Sequence, residues 1–370
     1  VLEREYLMRP ASSLWHYFGL LPIAHRSDIV TLGEGGTPLV DAPTLARKHG
    51  FGELRLKNEA TNPTGSFKDR QVSVGISHAR SRGVQTVAAV SSGNVACATA
   101  AYAARAGMRA VLFMHGQAGA GKIAQAAAYG ATVLRIDSPS PAAVFDLCLE
   151  ACARWGWQHL STAGMYEPYN VEGAKTIAYE LWQQYDGDLP DWIVAPVGGG
   201  GLLGGIWRGL LDLQRLGLIK RLPRLAGVQA SGCAPLTQAM AEDWSFLESL
   251  KHPWLNPDTI AGGIADDILF DGHTVLPAIR TTRGAAIDVD DGAIQEGLHT
   301  LARAEGILCE LTCAVVIAAL EKLPDSAGAR VCGLITGSGI KELPWLTAHA
   351  PSTPLVAPDI EAIAAAAGQG

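Results

Sequence analysis

The residues most able to do chemistry sit in four short stretches, and the first is Asn62-Pro63-Thr64-Gly65-Ser66-Phe67-Lys68-Asp69-Arg70. Pro63 and Gly65 supply turn chemistry, and Ser66 reads as the N-cap of a helix that would carry Lys68 in its first turn. The positive end of a helix disfavours an ammonium, so a lysine there is pushed toward the neutral amine, a nucleophile for a carbonyl. The competing reading is a solvated surface lysine beside Asp69 and Arg70. The second stretch is Gly198-Gly199-Gly200-Gly201, between an apolar run and an amphipathic helix. Successive exposed N–H groups at a helix N-terminus make a phosphate cradle. Its alternative is a tight turn demanded by close helix–strand packing.

The third and fourth stretches are Ser91-Ser92-Gly93-Asn94 and Thr336-Gly337-Ser338-Gly339, each following an apolar run. Asn94 could bond a ligand oxygen and Ser92 could exchange a proton, whereas capping would equally explain both residue types. Two further motifs are set aside. Gly116 to Lys122 nearly matches a phosphate-binding Walker A loop, but Ile123 replaces the hydroxyl that would hold Mg²⁺. Gly199, Gly201 and Gly204 satisfy GxGxxG too late in the chain, and without the acidic residue, for a dinucleotide fold. A nucleotide-binding oxidoreductase rests on that motif alone.

The positioning elements follow from hydrophobic pattern. Strands are expected at 54–57, 86–90, 109–114, 132–136, 192–197, 225–230, 285–289 and 330–335. Helices are expected at 71–82, 95–106, 122–129, 141–155, 173–185, after Gly201, and at 291–305 and 311–323. Residues 11–40 and 240–275 read as irregular, and the tail after Pro351 as a loose terminal helix. Strand–helix alternation implies parallel sheets with right-handed crossovers. All four chemical stretches then lie at carboxyl ends of strands, where open α/β sheets bind ligands.

With 370 residues, 48% hydrophobic and 18% charged, the chain can bury a large interior, and two domains are the default. A net charge of −7 gives no basic excess for nucleic acid or an anionic membrane. The seven cysteines show no metal-ligand spacing, so no metal is expected, and Cys148/Cys152 and Cys309/Cys313 read as buried helical neighbours. The opening residues show no charged and apolar leader, and no apolar run reaches the roughly 20 residues of a membrane span. A reducing, cytoplasmic setting is expected.

One ligand would use all four stretches: an aldehyde for Lys68, a phosphate for the glycine run, a phenolic oxygen for Asn94 and a ring nitrogen for Thr336. Pyridoxal 5′-phosphate carries each group. The chain resembles the fold-type II pyridoxal-phosphate enzymes, most closely the threonine synthases. The resemblance covers about residues 30–345: Leu32 to Leu39, Asn62 to Arg70, Ser91 to Asn94, Val171 to Thr176, Pro196 to Gly201, Gly306 to Glu310 and Thr336 to Lys341. It implies a two-domain α/β fold, tryptophan synthase β-like, with parallel and mixed sheets flanked by helices. The large cofactor-binding domain would be 1–75 with 170–370, the small one 76–169, and the assembly a homodimer. It further implies an internal aldimine at Lys68 and Phe67 walling the ring. Asn94 would face the ring oxygen, Gly198, Gly199, Gly200, Gly201 and Leu202 the phosphate, and Thr336 the ring nitrogen.

The substrate half departs from the threonine synthase pattern. Val95 stands for a threonine, Asn170 for an arginine, and Glu167 adds a carboxylate, a poor set for a dianionic phosphate. Ser91, Ser92, Val95, Glu167 and Asn170 are the candidate substrate contacts. Ser91 to Asn94 and the four glycines also resemble the serine/threonine dehydratases and serine racemases, where the Ser92 position acts opposite the lysine. Both a threonine synthase-like conversion of O-phospho-L-homoserine and elimination or β-replacement on serine, threonine or O-phosphoserine stay open. A catalytically silent binding module is disfavoured by the intact Lys68.

Overall fold

The computed structural model describes residues 4–115, 120–138 and 141–368. Among the described residues, ten strands run β1 (Leu39–Asp41), β2 (Glu53–Asn58), β3 (Thr86–Val90), β4 (Arg109–His115), β5 (Thr132–Ile136), β6 (Gln158–His159), β7 (Trp192–Pro196), β8 (Arg224–Ala230), β9 (Ala285–Val289) and β10 (Arg330–Ile335). They form a six-stranded sheet in the order β1-β2-β10-β7-β8-β9 and a four-stranded sheet in the order β5-β4-β3-β6. Every pairing is parallel except β1 on β2. The fold is therefore mixed α/β with helix-covered sheets.

Alternation along the central strands sorts side chains into two cores per sheet. Trp192 and Val194 of β7 pack on one face, with helices Asp291–Glu305 and Leu311–Ala319. Ile193 and Ala195 pack on the other, with helices Lys175–Gln184 and Gly201–Arg215. In the smaller sheet, Val87, Ala89, Ala110 and Leu112 face one core while Ala88, Val111 and Phe113 face the other. Two buried faces explain why these strands read as continuous apolar runs.

The helix carrying Lys68, Lys68–Ser81, joins the two sheets. It starts beside the six-stranded sheet, yet Val72, Ile76 and Ala79 lie in the core of the four-stranded one. Parallel pairing of β2, β10 and β7 brings their following loops out on one edge. These loops are the lysine turn, the Thr336 loop and the glycine run.

Several element expectations need correction. Ser66 does not cap the lysine helix: Phe67 holds the cap position without a side-chain bond, and the Ser66 hydroxyl has no partner among the described residues. The turn is tied instead by Asp69, whose carboxylate accepts from the Thr64 N–H and hydroxyl, each at 2.7 Å. Residues 11–40 contain a 3₁₀ segment at Leu14–Leu20 and the short edge strand β1. The 240–275 stretch, expected to be irregular, contains Phe246–Ser249 and opens the helix Gly272–Thr281, which carries Pro277 inside it. Residues 116–119 of the Gly116–Lys122 motif lie outside the described residues, and Ala120 begins a helix.

Candidate active site

Backbone bonds fix Lys68 against the end of β10. Phe67 N–H donates to the Thr336 carbonyl at 3.0 Å, Ser338 N–H donates to the Gly65 carbonyl at 2.9 Å, and Ser66 bridges Gly337. Gly65 takes φ +84°, which a side chain would strain. The Lys68 ammonium lies 4.5 Å from the Phe67 ring centroid and 3.4 Å from the Gln71 side-chain oxygen. Burial lowers its pKa from the ordinary lysine value to about 8, against Asp266 and Asp271, which raise it. The cause is thus desolvation, where sequence reasoning named the helix dipole.

Two residues on, Arg70 is fully buried in an ion network that holds the helix start. Its guanidinium donates to Glu59 at 2.7 and 2.8 Å and to Glu180 at 2.6 and 2.7 Å, and Lys57 donates to Glu180 at 2.7 Å. Burial would push the Glu180 carboxyl up, but Arg70 and Lys57 outweigh it and hold it at about 2. Bidentate pairing offsets the desolvation of four buried charges.

The glycine run turns directly from β7 into Gly201–Arg215. Gly200 adopts φ +102°. A Cβ on Gly199 would stand 2.6 Å from the Phe270 ring, and one on Gly201 would stand 2.3 Å from the Thr162 carbonyl oxygen. The Gly199 N–H donates to a carboxyl oxygen of Asp266 at 2.6 Å, so this nest already holds an acceptor oxygen. Asp271 accepts from the Gly164 N–H at 3.0 Å and comes close to Gly201. Burial raises the pKa of both aspartates from the ordinary carboxylate value.

Asn94 opens the helix Asn94–Ala106 at the end of β3, and its side chain reaches across to the other sheet. It donates to Glu310 at 2.7 Å and accepts from Lys341 at 2.7 Å. Thr336 is buried, its hydroxyl 3.1 Å from the Cys313 sulfur, and the Gly337 N–H also points at that sulfur at 3.1 Å. Lys68, Phe67, Thr336 and Asn94 are therefore joined through the Thr336–Lys341 segment, while Asp266, beside the glycine run, acts on Lys68. Leu202 is buried in the core beneath the glycine run.

The other candidates lie as follows. Ser92 is exposed, and the Ser91 hydroxyl accepts from the Gly93 N–H at 3.1 Å. Val95 packs against the core of the smaller sheet. Glu167 caps Pro168–Val171, bonding the Tyr169 N–H at 3.1 Å and Gln158 at 2.9 Å. Asn170 is fully buried, donating to the Ser161 carbonyl at 2.7 Å, with its side-chain oxygen against Gly75. Glu167 is committed to local structure, while the Asn170 oxygen has no hydrogen-bond partner among the described residues.

Sequence reasoning passed over Gln71, Asp266, Asp271, Glu310, Cys313 and Lys341. Gln71 stands three residues after Lys68 and so shares its helix face. Glu310 and Lys341 close two of the quoted motifs, and the aspartates sit in the stretch read as irregular.

Comparison with known proteins identifies the family. The chain is 36% identical over 349 residues to the threonine synthase of Methanocaldococcus jannaschii, covering 92% of this chain and 84% of that protein. It is 37% identical over 328 residues to the threonine synthase of Methanosarcina acetivorans, covering 88% and 78%. The solved threonine deaminase isoform 2 of Solanum lycopersicum shares the fold, with a TM-score of 0.71 at 20% identity, covering 94% of this chain and 89% of that one. The family described as "Pyridoxal-phosphate dependent enzyme" matches residues 30–337. Because that match runs from before the lysine turn to the strand end bearing Thr336, the chain belongs to the pyridoxal-phosphate dependent enzymes and, among them, to the threonine synthase group.

Proposed function

We propose that this protein is a lyase acting on a small amino acid, and that its reaction is the threonine synthase conversion of O-phospho-L-homoserine to L-threonine. The observation that carries the reading is Lys68: half-buried, held near pKa 8, and laced to the strand end that presents Thr336. The names of the relatives at 36% and 37% identity support the substrate.

The residues fit pyridoxal 5′-phosphate, the family's cofactor. The Gly199 N–H of the glycine nest already donates to a carboxyl oxygen of Asp266, and the crowded Cβ positions of Gly199 and Gly201 leave the run's backbone free of side chains of its own. Gly198 to Gly201, with the Leu202 N–H, would hold the phosphate. Thr336 and the neighbouring Cys313 would face the ring nitrogen, Phe67 the ring, and Lys68 the aldehyde. Bound there, the cofactor supplies a carbonyl for amine capture and an electron sink for charge developing at Cα.

The chain's own residues do the rest. Lys68, neutral in an appreciable fraction near pH 7, holds and moves the proton at Cα of the substrate. Thr336 offers a neutral hydroxyl where a carboxylate would keep the ring nitrogen protonated, which favours elimination over transamination. Asn94 and Ser92, at the end of β3, bind from the smaller sheet's side, and Ser92 serves the face opposite Lys68.

A second reading, elimination or β-replacement on serine, threonine or O-phosphoserine, is favoured by Asn170 and Glu167. Asn170 is locked onto Ser161 where the threonine synthase pattern has arginine, and Glu167 serves as a helix cap. The same overall reading takes the small domain as 76–169, the assembly as a homodimer and the compartment as cytoplasmic. Seven free cysteines, all buried, support a reducing setting.

The test is a panel of O-phospho-L-homoserine, L-serine, L-threonine and O-phospho-L-serine, with released phosphate, threonine and keto acid measured. Threonine and phosphate from phosphohomoserine uphold the proposal. Keto acid from serine or threonine, with phosphohomoserine inert, transfers it to the second reading.

A further inference from the structure

The side chain of Gln71 is fully buried, one helical turn from Lys68, and only half of its amide is satisfied. The oxygen faces the Lys68 ammonium at 3.4 Å. With Lys68 as the ammonium, which can only donate, the amide is assigned with its oxygen toward the lysine. The opposite end, Nε2, has no hydrogen-bond partner among the described residues. It points at the start of the glycine-run helix, 3.4 Å from where a Cβ on Gly201 would stand. The Thr162 carbonyl and the Asp271 carboxylate crowd the same position, yet neither takes the amide hydrogens. A buried amide donor without an acceptor is costly, and here it is aimed into a nest of backbone donors. A ligand oxygen seated in that nest would satisfy it.

We propose that Gln71 is a cofactor-binding residue that joins the two ends of the site. Its carbonyl oxygen holds Lys68, and its NH₂ donates to the phosphate seated on Gly201. Of the side chains that crowd the Cβ positions of Gly198 to Gly201, Asp266 and Asp271 present acceptors, Phe270 and Val275 are apolar, and Gln71 presents a donor. The amide therefore supplies attraction where two carboxylates would otherwise repel a phosphate. This rests on the reading that the glycine run is the phosphate cradle.

The test compares apoenzyme affinities for pyridoxal 5′-phosphate and for pyridoxal, which lacks the phosphate, in wild type, Gln71→Met and Gln71→Glu. Circular dichroism and thermal unfolding of each apoenzyme establish that it is folded. Losing one charge-assisted hydrogen bond weakens binding about 10- to 100-fold. Gln71→Met is expected to lose that factor for pyridoxal 5′-phosphate over and above any loss for pyridoxal, which reports the contact with Lys68 alone. Gln71→Glu keeps the acceptor toward Lys68 but places a carboxylate at the phosphate, so it loses more. Equal losses for both ligands would mean that Gln71 acts only on the lysine or on packing, and would overturn the proposal. So would a Gln71→Met variant that keeps the wild-type preference for the phosphorylated ligand. A wild type with no such preference would overturn the cradle itself, and Gln71's role with it. If Gln71→Met does not fold, the Gln71→Glu comparison decides alone.

Discussion

Mixing the apoenzyme with pyridoxal 5′-phosphate between pH 7 and 10.5 should give a chromophore whose rate of appearance tracks the neutral fraction of Lys68. With a pKa of about 8, roughly one lysine in ten is neutral at pH 7, against about 0.03% for an ordinary lysine, so burial raises nucleophile availability roughly 300-fold. The rate should climb with pH, bend near 8 and be flat by about 9. The carboxylate of Asp266 raises the Lys68 pKa, so Asp266→Asn should move the bend to lower pH. Stopped-flow absorbance reads both effects, and Lys68→Ala supplies the blank with no covalent chromophore. A rate that keeps rising tenfold per unit through pH 10, or a bend that moves upward in Asp266→Asn, would refute desolvation as the cause.

Further outcomes follow from the same structure. The folded chain binds fewer protons at Lys68 than the unfolded one between about pH 8 and 10.5, so this residue makes stability rise with pH there. Urea unfolding of Lys68→Met should show that slope removed. Asp69 has the opposite sign: burial lifts its pKa to about 7, so the native state holds the extra proton and stability falls as pH rises from about 4 to 7. Asp69→Asn should flatten that fall. Glu180→Gln leaves Arg70 and Lys57 buried with too little negative charge, and urea unfolding should show a loss of about 3–5 kcal/mol. Gly199→Ala places a Cβ 2.6 Å from Phe270, and equilibrium titration should show cofactor affinity reduced about tenfold.

Much of the scaffold was legible because its strands are apolar on both faces and its helices are closed by turn residues. Strands Thr86–Val90, Thr132–Ile136, Ala285–Val289 and Arg330–Ile335 fall at the residues expected. The helix Gly272–Thr281 did not, because Pro277 hides a pattern that tertiary packing overrides. The four chemical stretches were visible since glycine runs and strand-end loops are local signals. The partners that complete them were not: Glu310 and Lys341 reach Asn94 from 216 and 247 residues away. Likewise, Ser66 has a capping residue's chemistry, but the cap depended on where the backbone of the turn paired. Local propensity could not say that Thr336 would decide it.

That pairing has an evolutionary consequence. The lysine turn and the Thr336 loop are sewn together main chain to main chain, so their alignment does not depend on which side chains surround them. Ser91 to Val95 belong to the other sheet, and the Asn94 side chain links that stretch to the larger sheet. A lineage could thus exchange Val95 or its neighbours while inheriting an unaltered pairing of the lysine turn with the Thr336 loop. Change in one sheet's loop is insulated from loss in the other's.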